Sequence, residues 1–497
     1  MGKGWTVDLD RRKPATQDRL RPQAGYHFTS DKMKRSAPTT TIKSEDDTLT
    51  RTGRKQAKAV TLDQMRNFAL VGWMIRKHLD FVTEFTFQAV TKDQGFNKDL
   101  EAFIERISTA GRFDAAGRHN RQAFASLVET AAVLAGDIFT LKLRRGQVQG
   151  IEGDRVYNFS DMPPEMKTRR DGKLRNWIHG VECTAAGRAI NYAVGKRDGS
   201  RVVFDRVVRA GSIIPHGYYQ RFDQIRGVSP IVASLNSNQD LYESFDYQLI
   251  QQKVRSLIAF TINSQSGAGL GSFDVTATDA VGSETDDGDG NLTHETSEHT
   301  IKPGVASVLR LDPDEELKAV ESHSPSQEAQ SFHDTTIKLS LLSLDIPWLF
   351  YAALQGSYSV HRSVTIHYEK SCKPKRARMK TWHDNWTLWR LLLAIEAGEF
   401  ALPRGMTIDD VLWEWQADGI PWHDALKEVK AAHEEVAGGF NSPQRICKAR
   451  GRNFRDVVDE IAEAIGYAKE KGVPLSWATL DDPALAAAIM EGADDDA

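Results

Sequence analysis

The chain has 497 residues, enough for several domains, and its 40% hydrophobic content supports real cores. A formal charge of −4 is nearly neutral, which argues against a protein whose main task is to grip nucleic acid through its phosphates. Cys183, Cys372 and Cys447 form no CxxC pair and are expected as free thiols. No apolar run approaches the ~20 residues that span a bilayer and no apolar signal core opens the chain, so a soluble protein made inside a cell is expected.

Residues 1–60 carry fourteen Lys or Arg against seven acids, and this composition predicts a flexible basic N-terminal arm. Helical periodicity follows over Leu62–Gln88, with Met65, Phe68, Trp73, Ile75, Leu79 and Phe85, and again over Gln122–Ala135. Ile138–Leu143 alternates as a strand, Arg145-Gly146 turns, and Val148–Val156 returns. Further short strands are predicted from Val181-Glu182 through Tyr192–Val194 and at Val202–Val208, around turns at Ala186-Gly187 and Asp198-Gly199. The body is therefore expected to be α+β.

Arg226-Gly227-Val228-Ser229-Pro230 announces a long helix, with Ser229 as N-cap and Pro230 in the first turn. Leu241, Phe245, Leu249, Val254, Leu257, Ile258 and Thr261 keep its apolar residues on adjoining faces, and about thirty residues would make a rod of roughly 45 Å. It gives way at Asn263 to a stretch rich in Gly, Ser, Thr and Asp. From Ser256 to Ile301 there is no Lys or Arg but there are eight acids: Asp274, Asp279, Glu284, Asp286, Asp287, Asp289, Glu295 and Glu298. Val305–Leu311 alternates as a short strand, and Ser324-Pro325-Ser326-Gln327 reads as a capping box opening a second helix to about Leu344. Pro347 in Asp345-Ile346-Pro347-Trp348-Leu349-Phe350-Tyr351 breaks that helix, Gln355-Gly356-Ser357 is loop-like, and a helix resumes near Tyr358.

Lys370–Lys380 is the densest basic cluster. Lys373, Lys375, Arg376, Arg378 and Lys380 are its candidate phosphate contacts, and bases lying along an exposed helix face are the equal alternative. Trp382, Trp386, Trp389 and Leu393 recur at helical spacing and read as packed core rather than a base-stacking platform. Trp413, Trp415 and Trp422 likewise read as packing anchors.

Enzyme-like strings fail on chemistry. Gly267-Ala268-Gly269-Leu270-Gly271-Ser272 lacks the last Gly of a nucleotide loop, and Gly195-Lys196 is followed by Arg197 rather than Ser or Thr, so nothing cradles a phosphate. His294-Glu295-Thr296-Ser297-Glu298-His299 puts Glu298 where a zinc helix needs its second His. Asp287, Asp289, Asn291 and Glu298 fit a calcium loop, but Leu292 stands where its turn requires Gly. No catalytic residue, metal site or cofactor is assigned.

The order of these elements resembles the portal proteins of tailed bacteriophages, lambda type. The resemblance is carried by Gln220–Ser229 before the long helix, Leu344-Asp345-Ile346-Pro347 after the second, and Tyr358-Ser359-Val360-His361-Arg362. Gly180-Val181-Glu182 with Gly187-Arg188, and Trp422–Glu428 followed by Gly439-Phe440-Asn441-Ser442, extend it. The family pattern tends to Asn-Tyr-Ser-Ser where this chain has Ser357-Tyr358-Ser359-Val360. The acidic insertion matches nothing in the family pattern.

The resemblance implies a portal fold: the arm at 1–60, an α+β wing at 61–229, a first stem helix at 230–262, a clip at 263–324 and a second stem helix at 325–344. A tunnel loop at 345–358, wing helices at 359–420, and a helical crown with an acidic tail at 421–497 complete it. It further implies a non-enzymatic homo-oligomer, a dodecameric ring at one capsid vertex of the virion, assembled in the host bacterial cytoplasm. Double-stranded DNA would be packaged and ejected through it without sequence specificity. The implied partners are the terminase large subunit, major capsid and scaffold proteins and a head-tail adaptor, with no membrane. On this mapping Trp348, Tyr351, Gln355, Gly356, Ser357 and Tyr358 approach DNA at the constriction. The eight clip acids either line the lumen, where negative charge offers a polyanion no stable resting place, or dock a basic partner surface. A metal-dependent DNA-processing enzyme, and a head scaffold or connector without a channel, are the alternatives. The first needs metal-binding carboxylates clustered on a rigid core, and the second leaves the two capped helices around an insertion unexplained.

Overall fold

The computed structural model describes residues 42–168, 172, 174–199, 201–257, 260–264, 315–319, 327–352, 357–419, 425–473 and 475. The chain divides into two units, Met1–Asn236 with Lys338–Ala497, and Ser237–Ile337.

In the larger unit helices come first: α1 (Glu45–Thr48), α2 (Arg51–Asn67) and α3 (Ala69–Val82). Helix α2 starts where the Thr50 hydroxyl accepts from Gly53 N at 3.2 Å. The basic arm expected over 1–60 is thus corrected for its last part. Leu49 and Ala57 are buried against Val228, Val232 and Leu235, and that apolar anchor outweighs the polar composition around it. The helix expected over 62–88 also changes, because Phe85–Ala89 is strand β1. Its Phe-Thr-Phe alternation pairs antiparallel with a strand at Trp413–Ala417, Phe87 lying opposite Trp415.

Helices α4 (Gln94–Ile107), α5 (Ala110–Phe113) and α6 (Arg121–Ala135) follow, then β2 (Asp137–Lys142) and β3 (Val148–Glu152). The hairpin turns at Gly146, whose φ is 84°, as the Arg145-Gly146 pair predicts. The return strand is shorter than Val148–Val156, since Gly153–Arg155 winds into a 3-10 turn. After α7 (Pro164–Lys167) come β4 (Trp177–Ile178), β5 (Val181–Cys183), β6 (Ala189–Asp198), β7 (Arg201–Arg209) and β8 (Ile213–Gly217). Two sheets result, ordered β3-β2-β8 and β4-β5-β6-β7, and Phe139, Ile151, Val181, Tyr192 and Val194 form a shared core.

The long helix expected from Pro230 to residue 262 begins later and ends sooner. Pro230–Ser234 is a 3-10 turn, and α8 spans Leu235–Leu257. Ser229 does not cap it, because its hydroxyl donates to the Val133 carbonyl at 2.6 Å. Phe260–Ser264 is β9, paired antiparallel with β10 (Glu315–Ala319), as suits its β-branched and aromatic residues. Helix α9 is described over Gln327–Leu342 and ends two residues before the expected 344. The chain leaves it through a turn in which Asp345 takes φ 61°. The acids from Asp274 to Glu298, the strand expected at Val305–Leu311, the first three residues of the capping box, Gln355, Gly356, Trp422 and the acidic tail lie outside the described residues.

Pro347 opens the short α10 (Trp348–Tyr351), and α11 runs for 39 residues from Tyr358 to Glu396 with Pro374 inside it. The segment 359–420 is not all helix, because it ends in β11 (Trp413–Ala417). Trp382 and Trp386 are buried on α11 as the stripe predicts, whereas Trp389 and Leu393 are half-buried. Trp415 is buried and Trp413 half-buried. Their ring nitrogens donate to Thr387 Oγ1 and Asp384 Oδ1, each at 3.1 Å. Among the described residues after β11 the chain forms helices α12 (Ala425–Ala437), α13 (Pro443–Ala449) and α14 (Phe454–Lys471).

Candidate functional site

The segment between β8 and α8 holds the most densely bonded side chains. Arg226 is buried and grips Asp137 at the start of β2 by two parallel bonds, Nε to Oδ2 at 2.6 Å and Nη2 to Oδ1 at 2.9 Å. Its remaining donors reach the carbonyls of Val156, His179 and Gly153 at 2.6–2.8 Å. Gly227 N donates to Asp137 Oδ2 at 2.8 Å. A Cβ on Gly227 would stand 2.0 Å from the Gly136 carbonyl oxygen, so the Arg-Gly pair of the motif is a steric requirement of this crossing.

From α1, Asp46 accepts from Ile225 N at 2.7 Å, Arg226 N at 3.2 Å and Arg54 Nη2 at 3.1 Å. Burial raises the Asp137 pKa, but Arg226 outweighs it and holds the carboxyl below its usual range. Burial likewise opposes the Arg226 charge, and Asp137 outweighs it upward.

A second buried cluster joins α3, α6 and β8. Glu129, fully buried, accepts from Tyr218 at 2.5 Å and meets His78 Nε2 at 2.8 Å and His216 Nε2 at 2.6 Å. Burial pushes its pKa up, yet the bonds from His216 and His78 prevail and hold it well below the ordinary value. Arg378 from α11 lies over the Tyr218 ring, 4.2 Å from its centre. Sequence reasoning missed this cluster, although the signal was present. Glu129 shares a helix face with Ala125, Val128, Ala132 and Val133, all buried, and a carboxylate on such a face needs partners.

The turn after α9 is fixed by the basic cluster. Lys375 is buried, donating to the Leu344 carbonyl at 2.7 Å and pairing with Asp345 at 2.8 Å. Arg376 Nε donates to the Phe81 carbonyl at 2.6 Å, and Lys380 lies 3.9 Å from Glu414. Four of the five expected phosphate contacts are thus engaged with their own fold, and Lys373 is the one left exposed, beside Lys370. Trp348 and Tyr351 come together at 5.2 Å between ring centres, with Trp73 edge-on to Tyr351 at 5.9 Å and Lys338 over Trp348 at 4.8 Å. Ser357 precedes α11 without capping it, its hydroxyl meeting that of Ser359 at 3.1 Å, and Tyr358 opens the helix.

In the smaller unit, α8 and α9 meet where Ser244 Oγ bonds His333 Nε2 at 2.9 Å and the Phe245 and His333 rings lie 4.4 Å apart. From Tyr242 to Lys253 the side chains of α8 are largely exposed. Phe245 and Leu249 lie on one face, and Tyr247, 68% exposed, with Ile250, 54% exposed, lie on the opposite one. No group of three or more His, Cys, Asp or Glu among the described residues could hold a metal ion. No helix among them is long and apolar enough to cross a membrane.

Residues 32–375 match the family model described as phage portal protein, lambda family. That span is well over half of the chain, and the chain belongs to the lambda family of phage portal proteins. No curated protein matches it. Among solved structures, a chain in the neck of an empty GTA particle computed with C6 symmetry is 13% identical with a TM-score of 0.48, covering 79% of this chain and 93% of that one. A chain of the virion of a native gene transfer agent particle is 12% identical at 0.47, covering 81% and 99%. A chain in the neck of the native particle computed with C12 symmetry is 11% identical at 0.44, covering 80% and 97%.

Proposed function

We propose that the chain is one subunit of a ring-shaped channel at a capsid vertex, through which double-stranded DNA is packaged and ejected. The ring docks the packaging terminase and later the head-tail connector, and ATP hydrolysis resides in the motor rather than in this chain. Family membership supports this, and the observation that carries it is the exposed apolar face of α8 at Tyr247 and Ile250. Apolar side chains grouped on the face opposite a helix's own partner call for cover from a second molecule. In a closed ring each subunit meets its neighbours through two different surfaces.

On this account the paired helices α8 and α9 are the stem, the antiparallel pair β9 and β10 borders the clip, and α10 with Gln355, Gly356 and Ser357 forms the tunnel loop. The eight clip acids repeat around the ring and leave the DNA centred and mobile, since a negatively charged wall offers no phosphate sites. Lys373 is the remaining candidate for a phosphate contact. Electron microscopy of the purified chain tests the proposal. Rings of about a dozen copies with a hole wide enough for duplex DNA are expected, and monomers at every salt concentration would refute it.

A further inference from the structure

An open concavity of about 550 Å³ lies beside the four-stranded sheet, between the turn joining β5 to β6 and the end of β7. Thr184, Arg188, Ile190, Asn191, Arg209 and Gly211 line it, with no carboxylate among the lining residues. The turn is firmly built. Thr184 N donates to the Arg188 carbonyl at 2.9 Å, Arg188 N to Thr184 Oγ1 at 3.1 Å, and Gly187 takes φ 78°. Arg209 lies directly opposite Asn191 in the β6–β7 register. Lys142 adds a third cation at the edge, its Nζ 3.4 Å from the Gly211 carbonyl. Burial lowers the Lys142 pKa.

Near these sheets Arg175 pairs with Glu182, and Arg197 with Glu152 and Asp154. Arg188 and Arg209 are exposed and have no such partner among the described residues. Two exposed arginines at one concavity, with Asn191 and Thr184 beside them and an apolar wall at Ile190, suit carboxylates carried on an extended peptide. Ile190 adds an apolar side chain to this lining, which the charged phosphate backbone of a duplex would leave uncovered. An edge-pairing strand is also disfavoured, because β7 has its Phe204 N and Val202 carbonyl taken by Asp161 and Tyr157. The chain itself supplies a matching segment. After Lys471 it carries six acids, Asp481, Asp482, Glu491, Asp494, Asp495 and Asp496, and no Lys or Arg.

We propose that the Arg188–Arg209 cavity is a binding site for the acidic C-terminal segment of this chain. The test uses the full chain and a fluorescent peptide of residues 490–497. The full chain with Asp494, Asp495 and Asp496 changed to Asn, its site vacated, binds the peptide at least about tenfold more tightly than the unaltered chain, and added salt weakens that binding. Adding Arg188→Ala and Arg209→Ala to the Asn variant removes the gain, with an unchanged melting temperature reporting that the fold is intact. Equal peptide binding by the unaltered and Asn chains, binding that survives loss of both arginines, or arginine-dependent binding of a duplex oligonucleotide in place of the peptide would each overturn the proposal. Ring formation does not enter the readout, so the outcome is independent of the channel.

Discussion

The junction around Arg226 and the exposed stretch of α8 are adjacent in sequence and opposite in character. At the junction, charges are buried and almost every donor has its acceptor inside the same chain: Arg226 on Asp137 and three carbonyls, Asp46 on two backbone amides. Along α8, beginning at Tyr242, apolar side chains stand in water. The first region completes its bonding within the chain, and on the proposed account the second is covered by a neighbouring subunit. Mutations should therefore separate stability from assembly.

The largest loss is expected from Arg226→Ala, which strands the buried Asp137 carboxylate. About 3–5 kcal/mol of unfolding free energy should go, read as a lower denaturant midpoint. Failure to change the midpoint would remove the junction from the account.

Glu129→Gln should cost about 2–3 kcal/mol at pH 7, since it weakens bonds from two histidines and a tyrosine. The sign of its pH dependence follows from the depressed carboxyl. Its contribution is complete above the unfolded value near 4.5 and is lost as pH falls through the lower folded value. The two chains should converge only below pH 4.5 in midpoints measured across acid pH. A difference that stayed constant would mean that Glu129 acts by packing alone.

Trp382→Phe keeps most of the buried ring but removes the 3.0 Å bond to Thr140 Oγ1. It should cost about 1 kcal/mol, visible as a small drop in melting temperature.

Local periodicity made much of this fold legible. The β2–β3 hairpin, the β6–β7 pair, α6 and the buried Trp382 and Trp386 all follow from residues within a few positions of one another. What escaped was set by distant partners. Phe85–Gln88 read as helix because the partner of that strand lies more than three hundred residues away. Ser229 failed as a cap because the Val133 carbonyl claimed its hydroxyl. The basic cluster read equally as phosphate contacts or as bases along an exposed helix face, and nothing local disclosed that Lys375 would hold the turn at Leu344 and Asp345.

The smallest effect on the monomer and the most decisive one on assembly should come from Tyr247→Asp with Ile250→Asp. Both side chains are exposed, so the isolated chain should lose no more than about 0.5 kcal/mol. Particle mass of the wild-type chain and of this variant, measured side by side at one concentration and salt, tests the account most directly. Wild-type particles of about a dozen subunits beside variant monomers are predicted. Equal masses for the two chains would contradict the assignment of α8 as the surface that builds the ring.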